Sequence, residues 1–249
     1  MEWAQVPDAA AFRAFRQRCQ DGGWQRDRGG LAISLQLPAP GCAVHQLKCR
    51  IDVPDVPAET MYDVLHDSEY RREWDSNIID THDIAQVAAN ADVGYYACEC
   101  RGPRGGVVLA LVCKYPPRKD LVRAVCLLTG YLVHSTGPNS CSLTYLAQVD
   151  PKVAGLPRVL ISCHSRFPLC FPAFDQMLKK LHKACVQYPA WKQQHNVNMK
   201  PWLHPEQNKL PMLALSELAL QRAASLENID ESSLAEEESM GGPGCLFPW

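Results

Sequence analysis

The sequence lacks the motifs of the commonest enzyme and export classes. It contains no GxSxG, no HExxH and no glycine-rich phosphate loop. Residues 1–20 lack the charged start, apolar middle and cleavage site of a signal peptide. The longest apolar run, "VVLALVC", is much shorter than a membrane span. We therefore expect a cytosolic protein with no catalytic activity.

An excess of charge of either sign is also missing. The chain has 25 Lys and Arg against 27 Asp and Glu, a formal net charge of -2. Nucleic-acid-binding domains usually carry a basic excess, so we expect no nucleic-acid partner. With 249 residues, of which 47% are hydrophobic and 21% charged, the chain is long enough to bury a core of ordinary size.

Cysteine is abundant, but metal-binding spacing is absent. The twelve cysteines are spread singly from Cys19 to Cys245, and the close pair Cys98 and Cys100 has no CxxC or Cys/His set beside it. A domain of this length does not need disulfides to be stable. We predict reduced, mostly buried thiols, no metal and no cofactor.

The spacing of apolar residues predicts a mixed α+β fold. Helical spacing marks residues 8–19, a pair of short helices that meet at Asp67 and Ser68, and a long helix over 173–188. Strand-like alternation marks 31–37, 45–53 and much of 78–149. An antiparallel sheet wrapped around the long C-terminal helix buries all of these apolar faces, so we predict that architecture.

The end of the chain has a different composition. A short helix is predicted over 213–224, and the acidic, apolar-poor residues from about 225 favour disorder. Ser233 precedes "LAEEE", an acidic context that suits an acid-directed kinase, so it is a candidate phosphorylation site. We place a domain at 8–195 and a C-terminal extension at 196–249.

Arg71 and Asp75 form the most specific polar pair in the sequence. They are four residues apart on a predicted helix, so their side chains share a face. One interpretation is a surface ion pair of little energetic value. Another is that Asp75 orients the planar Arg71 guanidinium toward a phosphate. Spacing alone favours the first interpretation, because such pairs are common on helices.

Two further features have alternative interpretations. Carboxylates near the pair, such as Asp67 and Glu73, could serve acid and base catalysis, but no pattern in the sequence brings two of them together. Tyr95 and Tyr96 are adjacent on a predicted strand, so one of them faces inward. An inward tyrosine packs in a core or forms a wall of an aromatic cage for a quaternary ammonium group.

Several segments together resemble the START (StAR-related lipid transfer) domain family. They are "MYDVLHDSEYRREWDSNI", "KYPPRKDLVRA", "STGPNSCSLTYLAQVDPK", "LHKACVQYPAWKQ" and "KPWLHPEQ". The resemblance covers roughly residues 8 to 232. It implies a helix-grip START fold, in which a curved antiparallel sheet surrounds a long C-terminal helix and leaves a tunnel for one lipid.

The resemblance also implies a function and a site. It implies binding of phosphatidylcholine and phosphatidylethanolamine, and their transfer by a monomeric protein that contacts membranes transiently. Arg71 and Asp75 match family positions that contact the lipid phosphate, which reverses the preference from spacing. Tyr96 matches a position that forms one aromatic wall around choline. Leu127 stands where related choline-binding members have another tyrosine, which implies a less selective headgroup site.

The chain departs from the family pattern after Tyr96. Family members continue through further strands before the "YPPRKD" region, whereas this chain has only the seventeen residues "ACECRGPRGGVVLALVC". Seventeen residues hold one strand and a turn, or two very short strands. We therefore predict that the sheet lacks strands near residues 97–113. An incomplete tunnel would leave a START-derived interaction or lipid-sensing protein that does not transfer lipid.

Overall fold

The computed structural model describes residues 6–22, 25–26, 32–36, 46–76, 78–89, 91–98, 125–150, 167–214 and 217. The helices are α1 (Ala9–Gln20), α2 (Ala58–His66), α3 (Ser68–Trp74) and α4 (Phe167–Gln194). The strands are β1 (Gln25–Arg26), β2 (Ala32–Gln36), β3 (Gln46–Val53), β4 (Ile78–Ala88), β5 (Ala91–Cys98), β6 (Val125–Gly137) and β7 (Ser140–Asp150). The predicted order of helices and strands is therefore present.

Five strands form one antiparallel sheet in the order β1-β2-β3-β7-β6, and β4 and β5 form a separate antiparallel hairpin. β6 and β7 are joined by a tight turn within "STGPNS". The predicted shortening at 97–113 lies almost wholly outside the described residues, which stop at Cys98 and resume at Val125.

One face of the five-stranded sheet is apolar and covered by α4. The strand registers align Ile33, Cys49, Tyr145 and Tyr131 in a row across β2, β3, β7 and β6. The α4 residues that join this row in one buried cluster are Met177, Leu178, Leu181, Ala184, Cys185 and Tyr188. Burial of this inner face holds the sheet against the helix.

The opposite, outer face of the sheet carries α1. Phe15 of α1 lies so close to Gly130 of β6 that a Cβ at Gly130 would be 2.7 Å from the end of the Phe15 ring. Lys48 of β3, fully buried, donates from Nζ to the backbone oxygens of Arg18 at 2.9 Å and Asp21 at 3.0 Å. A lysine suits this place because the C-terminal carbonyls of a helix carry partial negative charge.

The long helix extends further than its periodicity predicts. We predicted 173–188, yet α4 runs over Phe167–Gln194 and includes Pro172 and Pro189. A proline inside a helix removes a backbone hydrogen bond, which is why the prediction ended at residue 188. Contacts of Tyr188 and Lys192 with Asp67 hold the last turns in place and offset that loss.

The first part of the predicted C-terminal extension packs on the rest of the molecule. Lys200 Nζ and Trp202 Nε1 contact the two carboxylate oxygens of Asp63 at 2.6 and 2.8 Å. Gln86 of β4 exchanges backbone hydrogen bonds of 2.9 Å with Pro211 and Leu213. The domain boundary at 195 stays a prediction, and the predicted helix over 213–224 lies mostly outside the described residues.

The cysteines with described side chains are Cys19, Cys49, Cys126, Cys141 and Cys185, and all five are free thiols. Four of them are buried. Among the described residues, no helix is both long enough and apolar enough to cross a membrane.

Candidate functional site

Arg71 and Asp75 form an ion pair at the C-terminal end of α3. Arg71 lies in the helix, and Asp75 is its C-cap residue. The Arg71 Nε to Asp75 Oδ2 distance is 3.4 Å, and the two side chains are only 20% and 14% exposed. The pair is therefore more buried than an ordinary ion pair on a helix surface. Removing two charges from water is costly, so such pairs require further polar contacts.

Aromatic residues of the sheet and of α3 surround the guanidinium. Arg71 donates a hydrogen bond to the Tyr131 hydroxyl, and its Cζ lies 5.7 Å from the centre of the Trp74 ring. Tyr131 and Tyr145 are opposite each other on β6 and β7, with ring centres 4.9 Å apart. The site therefore joins a charged pair to the inner face of the sheet.

Both tyrosines remain neutral phenols at neutral pH. Burial raises the pKa of Tyr131, and the positive charge and hydrogen bond of Arg71 offset part of that shift. Burial raises the pKa of Tyr145 well above its usual value, with a further contribution from Tyr131. With neutral tyrosines, the charges of Arg71 and Asp75 balance each other.

Trp74 adds a buried donor to this site. Its indole Nε1 is buried and has no hydrogen-bond partner among the described residues. A buried donor without a partner costs about 1–3 kcal/mol, and native proteins rarely leave one. The sequence indicates only that Trp74 lies on the same side of the helix as Tyr70.

Asp67 fixes the start of α3 and so determines where Arg71 lies. Its Oδ1 accepts from the Tyr70 backbone N–H at 3.0 Å, which caps the helix N-terminus. Its Oδ2 accepts from the Tyr188 hydroxyl at 2.9 Å and from Lys192 Nζ at 2.8 Å. Burial and the Asp67 charge raise the pKa of Tyr188, so its hydroxyl keeps its proton. These contacts join α3 to α4.

The carboxylates of α2 and α3 near the pair have separate surroundings. Asp67 is occupied by Lys192, and Asp63 is occupied by Lys200 and Trp202. Glu69 and Glu73 are exposed. The two buried carboxylates are therefore each held by a lysine.

The structure describes the backbone of Tyr96, and so its position in β5. It lies in β5 opposite Thr81 of β4, and its side chain is outside the described part of the structure. Its neighbour Tyr95 is buried, with its ring centre 5.2 Å from that of His82. Leu127 lies where the register of β6 shifts, and its side chain is half exposed.

Sequence reasoning did not identify Tyr131 and Tyr145 as part of the site. The alternation in "SLTYLAQV" assigns Tyr145 to the same face as Leu143, which would have placed it inward. Tyr131 was missed because its place in the site depends on the pairing of β6 with β7, which sets it opposite Tyr145. Ser233 lies outside the described residues, so its candidate role stays a prediction.

Comparison with known proteins identifies relatives over most of the chain. A family model described as the START domain matches residues 17–110. The chain is 50% identical to START domain-containing protein 10 of Homo sapiens over 267 residues, covering 98% of this chain and 90% of that protein. The Mus musculus protein of the same name is 49% identical over the same length, with the same coverage.

Solved structures agree with this result. A crystal structure of human STARD10 superposes with a TM-score of 0.76 at 48% identity and covers 87% of this chain and 95% of that chain. Human StAR-related lipid transfer protein 5 matches with a TM-score of 0.56 at 18% identity, over 72% of this chain and 94% of that chain, which is a likeness of fold alone. The predicted helix-grip fold is confirmed, and the chain belongs to the START domain family.

Proposed function

We propose that the protein binds one phospholipid and transfers it between membranes without covalent chemistry. The observation that carries the proposal is the mostly buried Arg71–Asp75 pair, which lies beside the Trp74 indole N–H, a buried donor with no partner in the part of the chain that the structure describes. A buried ion pair and a buried N–H donor both gain from further hydrogen bonds, so this site suits a ligand whose polar group enters the interior of the protein. Membership of the START family supports a lipid as that ligand.

The phosphate of the lipid is the proposed partner of Arg71. The guanidinium is a planar fork with five N–H donors, and phosphate oxygens accept from two of them at once. Asp75 contacts Nε and so fixes the plane of the fork. Trp74 Nε1 supplies another donor for a phosphate or ester oxygen.

Charge balance favours a zwitterionic headgroup. The site already contains one positive and one negative charge, so a phosphate alone would leave it negative. An ammonium group on the same ligand restores neutrality, which phosphatidylcholine and phosphatidylethanolamine both provide. We assign Tyr96 as one aromatic wall for this ammonium group. Leu127 in place of another aromatic wall favours acceptance of both headgroups.

Enclosure of the acyl chains sets the requirement for transfer. Two chains contain on the order of 30 methylenes, and their exposure at ~0.8 kcal/mol each would cost roughly 25 kcal/mol. A carrier must therefore cover them almost completely. The row from Ile33 to Tyr131 and the apolar side of α4 supply part of that cover.

A second candidate function, in which the protein does not transfer lipid, is supported by the length of the relatives. The alignment with the human relative spans 267 positions, 18 more than the 249 residues of this chain. That relative therefore has at least 18 residues which this chain lacks. If they belong to tunnel strands near 97–113, the protein is an interaction or lipid-sensing protein that does not transfer lipid.

The proposed carrier is a monomeric cytosolic protein that contacts membranes transiently. The exposed Lys179 and Lys183 of α4 suit an anionic membrane surface. Phosphorylation of Ser233 would add negative charge beside its acidic neighbours and weaken that attraction. Flotation with anionic vesicles tests this point, and unchanged binding of Ser233→Glu would count against it.

The transfer assay that tests the proposal compares Arg71→Ala with Arg13→Ala. Arg71→Ala removes the phosphate contact, so we expect at least a tenfold loss in the rate of phosphatidylcholine transfer between vesicles. Arg13→Ala removes an exposed arginine of α1, and we expect less than a twofold change. Circular dichroism confirms that both variants are folded. Equal transfer by Arg71→Ala and the parent would exclude Arg71 as the phosphate ligand.

A further inference from the structure

A cleft on the outer face of the sheet is separate from the site around Arg71. It has a volume of about 370 Å³ and lies between the C-terminal half of α1 and strands β3, β7 and β6. Arg16 and Cys19 line it from the helix. The strand residues Arg50, Thr144 and His134, which line it, lie on the face opposite the buried row of Ile33, Cys49, Tyr145 and Tyr131.

Hydrogen-bond donors line this outer cleft from several directions. Arg16 approaches from the helix, Arg50 from β3 and His134 from β6. Ser142 and Thr144 of β7 lie between those two strands. Register places Thr144 directly beside Arg50, and Ser142 directly beside His134. Ser142 and Thr144 are nearly fully buried, so the floor of the cleft is formed by fixed hydroxyl side chains.

The described lining contains no carboxylate. Cys19 is the one acidic group among the described residues that line the cleft, and burial raises its pKa to about 11, so it is a neutral thiol at neutral pH. Asp52 is outside the lining; its Oδ1 is 3.9 Å from Arg50 Nε, and its side chain is 72% exposed. Such a long, exposed contact competes weakly for the arginine.

We propose that this outer cleft binds a phosphomonoester dianion. A tetrahedral phosphate has three terminal oxygens that accept hydrogen bonds from different directions, which matches donors on the helix, on the strands and on the floor. A planar carboxylate would reach fewer of them. The cleft also holds more than a bare phosphate, so the remainder of the ester has room beside the apolar Leu132, which register places on the outer face next to Thr144.

Titration of the full-length protein with inorganic phosphate tests the site. We expect saturable binding by the parent in calorimetry, and at least tenfold weaker binding by Arg16→Gln/Arg50→Gln. Thr144→Val keeps the shape and the β-propensity of the side chain and removes only the hydroxyl. A several-fold loss of phosphate affinity in this variant would therefore show that the hydroxyl contacts the phosphate. Arg18→Gln is the matched control, because it removes the same charge from α1 outside the cleft; we expect less than a twofold change.

Two kinds of ligand present the same chemistry, and vesicle flotation distinguishes them. Vesicles of phosphatidylcholine with and without phosphatidic acid present the phosphomonoester on a lipid. Recruitment that depends on phosphatidic acid and is lost in Arg16→Gln/Arg50→Gln assigns a lipid headgroup. Phosphate binding without such recruitment assigns a soluble phosphate ester.

Absence of saturable phosphate binding in the parent, or an equal loss of phosphate affinity in Arg18→Gln, would overturn the proposal. Neither result affects the site around Arg71, which lies on the other face.

Discussion

Among single residues, the indole of Trp74 gives the clearest support for the proposal that the interior receives a polar ligand. Its Nε1 is buried beside Arg71 without a described partner. A donor in that position is a cost to the empty protein and a contact for a ligand. Its effects on stability and on ligand binding therefore have opposite signs.

Trp74→Phe separates these two effects. It removes the N–H and keeps most of the apolar ring, so we expect a change in unfolding free energy of less than about 1 kcal/mol. We also expect faster loss of bound phospholipid. Urea unfolding measures the first quantity, and competition with vesicles followed by mass spectrometry measures the second. Unchanged lipid retention would show that Trp74 only packs.

At the scale of elements, the buried contacts of Asp67 connect α3 to α4 and hold the ion pair in position. Asp67, Tyr188 and Lys192 are each less than 10% exposed. Asp67 neutralises Lys192, which lies in the last turns of α4. Loss of the carboxylate charge would leave a buried cation without its partner.

Asp67→Asn is therefore expected to destabilise the protein by about 3–5 kcal/mol, although Asn still caps a helix. Asp55→Asn is the control, since Asp55 contacts the partly exposed His182 and is itself 56% exposed. We expect that control to change stability by less than about 0.5 kcal/mol. Urea unfolding compares the two. If both variants unfold alike, the Asp67 contacts do not join the helices as described.

The elements were predictable to different degrees, and the reasons are physical. Alternation and caps predict β3, β7 and the α2–α3 pair, because each depends on neighbours in sequence. The true ends of α4 depend on tertiary contacts that override its prolines. The contact of Arg71 with Tyr131 joins residues that only the folded sheet brings together. The family resemblance identifies Arg71 from the sequence, whereas Tyr131 becomes visible as part of the site only in the structure.

At the scale of the whole molecule, buried thiols make stability depend on alkaline pH. Burial raises the pKa of Cys49 and of Cys185 from 9.0 to about 12. The unfolded thiols therefore lose protons first as the pH rises above 9, and stability falls through that window. Each thiol contributes up to roughly 1.4 kcal/mol per pH unit.

Urea unfolding from pH 8 to pH 10.5 measures this dependence. We expect a falling midpoint above pH 9 and a smaller slope in Cys49→Ala, which retains the fold with reduced stability at pH 8. Burial also raises the pKa of Tyr131 and lowers that of Lys48, and both shifts affect the slope, so we compare the slope of the parent with that of the variant. Identical slopes would show that Cys49 ionises equally in both states.

Native mass spectrometry of the purified 249-residue protein detects whether the chain carries a phospholipid. After incubation with vesicles of phosphatidylcholine and phosphatidylethanolamine, we expect a species with one bound phospholipid per chain. We expect this species to be depleted in Arg71→Ala and retained in Arg13→Ala. A folded parent that carries no phospholipid after this incubation would show that the protein is not a phospholipid carrier.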